Sequence, residues 1–194
     1  VIDDDMPVIT ECATAVVDED SLSNGIEGGP ADDGVIPATF SGNLGIDFGA
    51  DGGKSIAFLT SGQPSLKSHN VPVQYTWVAA PGGLGTLIAH TGDVNNPVFK
   101  VQVTSLENGG EYTLTLLRPL DHPDSDGNPG NNNGDTGLGS FEDNLLFNLK
   151  FKATDRDDDT VDGQLKVNVD DDSPRICEGS GSLSLATDET LGGG

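Results

Sequence analysis

Apolar and polar residues alternate along several short segments of the chain, and this alternation is the main guide to its fold. In LLFNLKFKATD, every second side chain from Leu145 to Ala153 is apolar, and YTLTLLR, GQLKVNVDD, VPVQYTWV and VFKVQVTSL repeat the pattern. A period of two places one face of a strand in a core and the other in water. The side chains predicted to face inward from the first three segments are Tyr112, Leu114, Leu116, Leu145, Phe147, Leu149, Phe151, Ala153, Leu165, Val167 and Val169.

The segments are separated by clusters of Gly, Asn, Asp and Pro, such as LENGGE and GADGGKS, which are typical of hairpins and loops. No segment combines a helical period with capping residues. We therefore predict an all-β fold, an antiparallel β-sandwich of immunoglobulin- or cadherin-like architecture with about seven to ten strands. Residues 121–139 have almost no apolar content, and we predict a long surface loop there.

The composition is strongly acidic. Among 194 residues there are 32 acidic and 9 basic side chains, which gives a net charge of −23. Such a charge argues against nucleic acid as a partner and against direct contact with an anionic membrane, because both need a basic surface. The longest apolar runs are far shorter than the ~20 residues needed to cross a bilayer. The two cysteines, Cys12 and Cys177, lack metal-ligand spacing, and we expect them not to bond to each other.

One acidic phrase occurs twice. VIDDDMPVI opens the chain and VNVDDDSPRI lies near its other end, so that Pro7 matches Pro174 and Ile9 matches Ile176. We interpret the phrase as a joint between tandem repeats. Residues 1–7 are then a junction from a preceding repeat, residues 8–172 one β-sandwich repeat, and residues 173–194 the incomplete start of the next.

Adjacent carboxylates repel one another, and a hard divalent cation makes such clusters favourable. Calcium takes six to eight oxygen ligands with tolerant geometry. We expect the loop at residues 155–159 to lie beside residues 170–172 at one tip, and Asp18 and Glu19 to lie beside residues 3–5 at the other joint. The alternative is that these side chains are simply solvated. The candidate calcium ligands are Asp3, Asp4, Asp5, Asp18, Glu19, Asp121, Asp155, Asp157, Asp159, Asp170, Asp171, Asp172 and Glu189.

The loop at residues 155–159 is not an EF-hand. It starts with the D-x-D-x-D spacing, but Thr160 stands where the EF-hand needs glycine, and Lys166 stands where it needs glutamate. Any calcium site here therefore has a different geometry.

Several ordered motifs together resemble one family. PATFSGNLGIDFGADGGKSIAF, LLRPLDHP and FKATDRDDDTVDGQLKVNVDDDSP are similar to the tandem repeats of giant RTX-type adhesins, which Gram-negative bacteria export by type I secretion. The resemblance implies a calcium-bound β-sandwich extender, at the cell surface, that holds a terminal adhesive region away from the cell. It also implies neighbouring repeats of the same chain as partners, and we expect a monomer. The chain departs from the family's D-x-D-G-D-T motif, because Asp158 replaces the glycine.

Two other functions were weighed. An enzyme is not expected, because there is no G-x-S-x-G motif and the three histidines lie in unrelated polar contexts; His122 is expected to order a loop. The main alternative is a calcium-dependent carbohydrate- or ligand-binding module that uses residues 121–139, with Tyr75 and Trp77 stacking on a sugar. Those two aromatic residues alternate within a predicted strand, however, which favours the core, and the repeated phrase favours the spacer.

Overall fold

The computed structural model describes residues 5–25, 36–122 and 144–172. Asp3, Asp4, Glu189, Cys177 and most of the long loop lie outside these ranges. Within them the chain forms thirteen strands and a single 3₁₀ turn (Pro81–Gly83), and no helix is long and apolar enough to span a membrane. The strands are β1 (Val8–Ile9), β2 (Ala13–Asp18), β3 (Thr39–Asn43), β4 (Ile46–Asp47), β5 (Gly53–Phe58), β6 (Lys67–Ser68), β7 (Val71–Pro72), β8 (Gln74–Ala80), β9 (Leu84–His90), β10 (Pro97–Ser105), β11 (Glu111–Leu116), β12 (Leu145–Asp155) and β13 (Thr160–Asp170).

Nine of these strands build two facing sheets. One has the order β3-β11-β10-β9-β8, and the other has the order β2-β13-β12-β5. The all-β sandwich predicted from the alternation is confirmed. The pairing is not antiparallel throughout, because β2 runs parallel to β13, with Ala13 opposite Leu165 and Asp18 opposite Asp170. No hairpin connects these two strands, so no turn forces them to be antiparallel.

The core lies between the two sheets and is built from the inward faces of their strands. All eleven side chains predicted to face inward are buried, from 0 % exposure at Leu149 and Phe151 to 9 % at Leu145. The rings of Phe58 and Phe151 lie 5.6 Å apart in the four-stranded sheet. Burying such a side chain contributes about 1.5–3 kcal/mol, so this face accounts for much of the stability.

The two ends of strand β13 lie at opposite ends of the sandwich. We call the end with the β12–β13 turn, residues 155–159, the hairpin end, and the end with residues 170–172 the exit end. Ten residue steps along β13, at about 3.3 Å each, put roughly 33 Å between them. The expectation that residues 155–159 lie beside residues 170–172 is therefore wrong.

The expected grouping of Asp18 and Glu19 with the first joint is also wrong. Because β2 is parallel to β13, it carries Asp18 and Glu19 to the exit end. Asp5 lies at the hairpin end instead, where its Oδ2 accepts a hydrogen bond of 2.9 Å from the N–H of Ala50. The loop that contains Ala50 leads directly into β5, whose Gly53 pairs with Asp155.

Candidate metal centres

The first candidate centre is the turn cluster, formed by Asp155, Asp157 and Asp159. One carboxylate oxygen from each lies within 4.8 Å of the others. The β12–β13 turn holds them together, because the N–H of Asp155 donates to the carbonyl of Asp159 at 3.1 Å and the N–H of Asp159 donates to Oδ1 of Asp155 at 2.8 Å. The D-x-D-x-D spacing thus brings three carboxylates together, as the sequence predicts.

The fourth aspartate of the turn has a different role. Asp158, which replaces the glycine of the motif, has a φ of +81°. This left-handed conformation favours glycine and is tolerated by aspartate. Its side chain is 72 % exposed and forms an ion pair with Lys54, so it points away from the turn cluster. The substitution therefore keeps the path of the turn.

Asp155 is the most buried member of the turn cluster. Its exposed fraction is 0 %, and its Oδ2 has no hydrogen-bond partner among the described residues. Burial raises the pKa of this carboxyl, and the neighbouring Asp157 carboxyl raises it further. A buried carboxylate oxygen without a partner is costly in free energy unless a proton or a cation satisfies it.

The turn cluster fits a hard cation. Its donors are all oxygen atoms, and within the described ranges no lysine, arginine or histidine nitrogen lies within 4.0 Å of the three carboxylates. Calcium prefers such a donor set, and three carboxylates provide up to six of the six to eight oxygens that it takes. Asp155, Asp157 and Asp159 are therefore the residues that would hold it.

The second candidate centre is the exit cluster, formed by Glu19, His122 and Asp171, whose ligand atoms also lie within 4.8 Å of one another. Glu19 is 2 % exposed, and its Oε1 accepts hydrogen bonds from the N–H of Leu120 at 2.8 Å and from Nε2 of His122 at 3.2 Å. Asp171 Oδ1 lies 4.0 Å from the same His122 nitrogen. The parallel pairing of β2 with β13 brings Glu19 and Asp171 to the same place.

Carboxylates crowd around the exit cluster. Asp18 and Asp170 are register partners and are 3 % and 5 % exposed. Burial raises the pKa of Asp171 to about 6, with further increases from Glu19 and Asp172 and a decrease from His122. His122 was expected only to order a loop, and its link to Glu19 was not foreseen. Its polar neighbours in LDHPD gave no sign of the partner, which lies 103 residues away.

The other described candidates lie in neither cluster. Asp121 fixes the β6–β7 turn, because its Oδ2 accepts from the N–H of Asn70 at 2.7 Å and its own N–H donates to the Lys67 carbonyl at 2.8 Å. Asp172 follows the exit cluster, and its N–H donates to Asp171 Oδ1 at 3.0 Å.

The aromatic residues weighed as a sugar platform pack against the core. Trp77 lies 6.2 Å from Phe58, and Tyr75 lies 6.3 Å from Phe99 between ring centroids. The Tyr75 hydroxyl donates to the Pro64 carbonyl at 2.9 Å. Both residues are partly buried, as their alternation indicates.

Comparison with known proteins identifies one family. A family model described as a domain of unknown function, DUF5801, matches residues 14–168. This range contains the whole turn cluster and both facing sheets except for Ala13 of β2 and Val169 and Asp170 of β13. Neither the curated proteins nor the solved structures contain a match to the chain.

Proposed function

The chain belongs to the DUF5801 family, whose function is unknown, and we propose that it is a calcium-stabilised structural repeat that extends a large secreted bacterial adhesin from the cell surface. Calcium would bind the turn cluster, and calcium at the joints would stiffen the array of repeats. The resemblance to tandem repeats of RTX-type adhesins, carried by the quoted motifs, supports the adhesin and its export by type I secretion.

The buried oxygen of Asp155 is the observation that carries the calcium proposal. Oδ2 has no partner in the described part of the chain, although the residue is fully buried beside two further carboxylates. Leaving such a group unsatisfied is unfavourable in free energy. Calcium removes this cost and the mutual repulsion of the three carboxylates at the same time.

The extender role is supported by the positions of the two acidic phrases. Asp5 lies at the hairpin end, and Asp172 lies at the exit end, beyond β13. A repeat whose joints lie at opposite ends adds its full length to an array of repeats. A sandwich with sheets of hydrogen-bonded strands between the joints is also a stiff spacer.

A calcium-dependent carbohydrate-binding module is the alternative, and it has less support. Its proposed aromatic platform, Tyr75 and Trp77, packs against the core. A glycan array in calcium and in chelator tests it directly. Robust binding that requires calcium would favour this alternative over the spacer.

Isothermal titration of the full chain with calcium tests the proposal at the turn cluster. The matched pair of variants is Asp155→Asn and Asp162→Asn, because each removes one charge, and Asp162 is a 73 % exposed side chain of β13 that pairs with Lys152. In about 0.15 M salt, which screens nonspecific attraction to the acidic surface, the control should bind calcium like the unaltered chain. Asp155→Asn should bind one calcium ion fewer than the unaltered chain.

Magnesium provides the second arm of this experiment. It should bind more weakly, because it demands a compact octahedral shell that a turn with three carboxylates does not provide. Absence of calcium binding, or equal binding by Asp155→Asn and Asp162→Asn, would contradict the proposed site.

A further inference from the structure

Residues 5–10 dock along the β4 edge at the hairpin end, and we infer that residues 172–176 of one repeat dock in the same way on the hairpin end of the next repeat. This inference rests on the proposed tandem arrangement. It names the surface through which consecutive copies meet and the segment that occupies that surface.

The structure describes the docking of residues 5–10 of the chain. Asp5 Oδ2 accepts from the N–H of Ala50 at 2.9 Å. Strand β1 then pairs with β4, with Val8 opposite Asp47 and Ile9 opposite Ile46. Thr10 completes the strip, because its N–H donates to the Gly45 carbonyl at 2.7 Å.

Among the described residues 5–9 of the first phrase, those shared with the second phrase contact the domain. Asp5 makes the hydrogen bond, Pro7 is buried, and Ile9 packs against the core; their counterparts are Asp172, Pro174 and Ile176. The intervening residues differ between the phrases. Met6 and Val8 are 59 % and 49 % exposed, and their counterparts Ser173 and Arg175 are polar. The second phrase thus has the same three residues at the contacting positions and polar residues where the first faces solvent.

The joint defined in this way has almost no free linker. Asp171 belongs to the upstream domain, where its carboxylate lies 4.0 Å from His122. Asp172 is the next residue, one Cα spacing of about 3.8 Å away, and it takes the place of Asp5 on the downstream domain. The exit end of one copy therefore abuts the hairpin end of the next.

Basic side chains at the hairpin end offset part of the acidic charge at this contact. The upstream exit end has buried or half-buried Asp18, Glu19, Asp170 and Asp171. The downstream hairpin end has a cleft of about 630 Å³ that is lined by two basic side chains, Lys54 and Arg156, as well as by acidic ones.

Gly49 leaves room for the docked carboxylate at this position. It has a φ of +68°, and a Cβ built there would lie 2.2 Å from Asp5 Oδ2. Gly49→Ala therefore removes the space for the docked carboxylate. Gly92→Ala is a matched control, because Gly92 has a φ of +89° and a Cβ there meets nothing within 4 Å.

The test uses a two-copy protein in which residues 1–176 continue directly into residues 10–194, so that residues 172–176 of the first copy replace residues 5–9 of the second. Cys177→Ser leaves one cysteine per copy, the exposed Cys12, and each is spin-labelled. Electron–electron resonance in chelator then measures the distribution of distances between the two labels. We expect a single narrow peak at a separation of at least the length of β13, roughly 33 Å.

The variants are made in one copy only. Gly49→Ala in the second copy should abolish the narrow peak, as should Asp172→Ala at the joint, which removes the hydrogen-bond acceptor without altering the Gly49 turn. Gly92→Ala in the second copy should keep the peak. A broad distribution in the unaltered protein, or a peak that survives both Gly49→Ala and Asp172→Ala, would overturn the docking.

Failure of the docking is distinguishable from failure of the proposed function. The docking contacts are hydrogen bonds and apolar packing that need no ion, so they define the peak in chelator, and calcium bound at the joint would narrow that peak further. If calorimetry detects no binding of calcium to the chain, the calcium proposal is refuted and the docking inference is unaffected.

Discussion

Asp158 occupies the most constrained backbone position of the turn that holds the turn cluster. Its φ of +81° lies in the left-handed region, which costs an L-residue roughly 1–2 kcal/mol. Aspartate adopts it more readily than most residues, and its ion pair with Lys54 is too exposed to contribute more than about 1 kcal/mol. The turn is therefore retained at some cost in stability.

We expect Asp158→Gly to be more stable than Asp158→Ala by about 1 kcal/mol. Both variants lose the charge and the ion pair, so the difference isolates the backbone conformation. Urea denaturation in chelator measures both free energies of unfolding. Equal stability of the two variants would show that the left-handed conformation carries no cost at this position.

Asp155→Asn should change stability in opposite directions in chelator and in calcium. Without calcium it removes a buried charge while the side-chain oxygen can still accept from the N–H of Asp159, so the melting temperature should rise. With calcium it removes a charged ligand, so the melting temperature should fall relative to the unaltered chain.

The control for this comparison is Asp162→Asn, which removes an exposed charge outside both clusters. It should shift the melting temperature by the same small amount in the two conditions. A shift of the same sign for Asp155→Asn in chelator and in calcium would argue against a metal ligand at Asp155.

At the scale of elements, the alternation predicted which side chains of a strand face inward but not which strand lies beside it. Phe147, Phe151 and Val167 are buried as expected, because a period of two fixes the two faces of any strand. The parallel pairing of β2 with β13 was missed, since two distant segments carry no turn signal that sets their direction.

The candidate metal sites were predictable from the sequence only where their residues lie close together along the chain. The turn cluster is local, so the spacing of Asp155, Asp157 and Asp159 was sufficient to group them. The exit cluster joins residues from three distant segments, and it depends on the missed β2–β13 pairing. Sequence reasoning therefore assigned Glu19 to the wrong end of the sandwich and overlooked His122.

The exit cluster should make the ion-free protein less stable as the pH rises. The pKa of Asp171 is raised to about 6 in the folded chain, above its ordinary value of 3.8. Between these values the folded state binds more protons than the unfolded state, so the free energy of unfolding falls as the pH increases through this window. Urea denaturation in chelator at pH 5 and at pH 7.5 should show the loss.

Asp171→Asn identifies the contribution of this one group. The neutral side chain can still accept from the N–H of Asp172 but no longer titrates, so the variant should lose less stability between pH 5 and pH 7.5 than the unaltered chain. His122, Glu19 and Asp172 remain in both proteins. An unchanged pH dependence in Asp171→Asn would exclude this carboxyl as a cause.

At the scale of the whole molecule, the two clusters lie at opposite ends of a sandwich that carries a net charge of −23. Self-repulsion of this size destabilises the compact state, and it is greatest where carboxylates are buried together. Calcium bound at such positions would stabilise each proposed repeat. If consecutive copies abut as inferred, it also reduces the repulsion at each joint.

The central claim is that calcium stabilises this chain, and thermal unfolding of the full chain at pH 7 in calcium and in chelator tests it most directly. One site with a dissociation constant of about 10⁻⁴–10⁻³ M, at tenfold calcium excess, adds RT ln 11, about 1.4 kcal/mol. For a chain of this length this corresponds to an increase in melting temperature of about 3–6 °C. Ionic strength is matched with a monovalent salt, so that screening does not contribute. Such an increase supports the account, and identical melting curves in calcium and in chelator would contradict it.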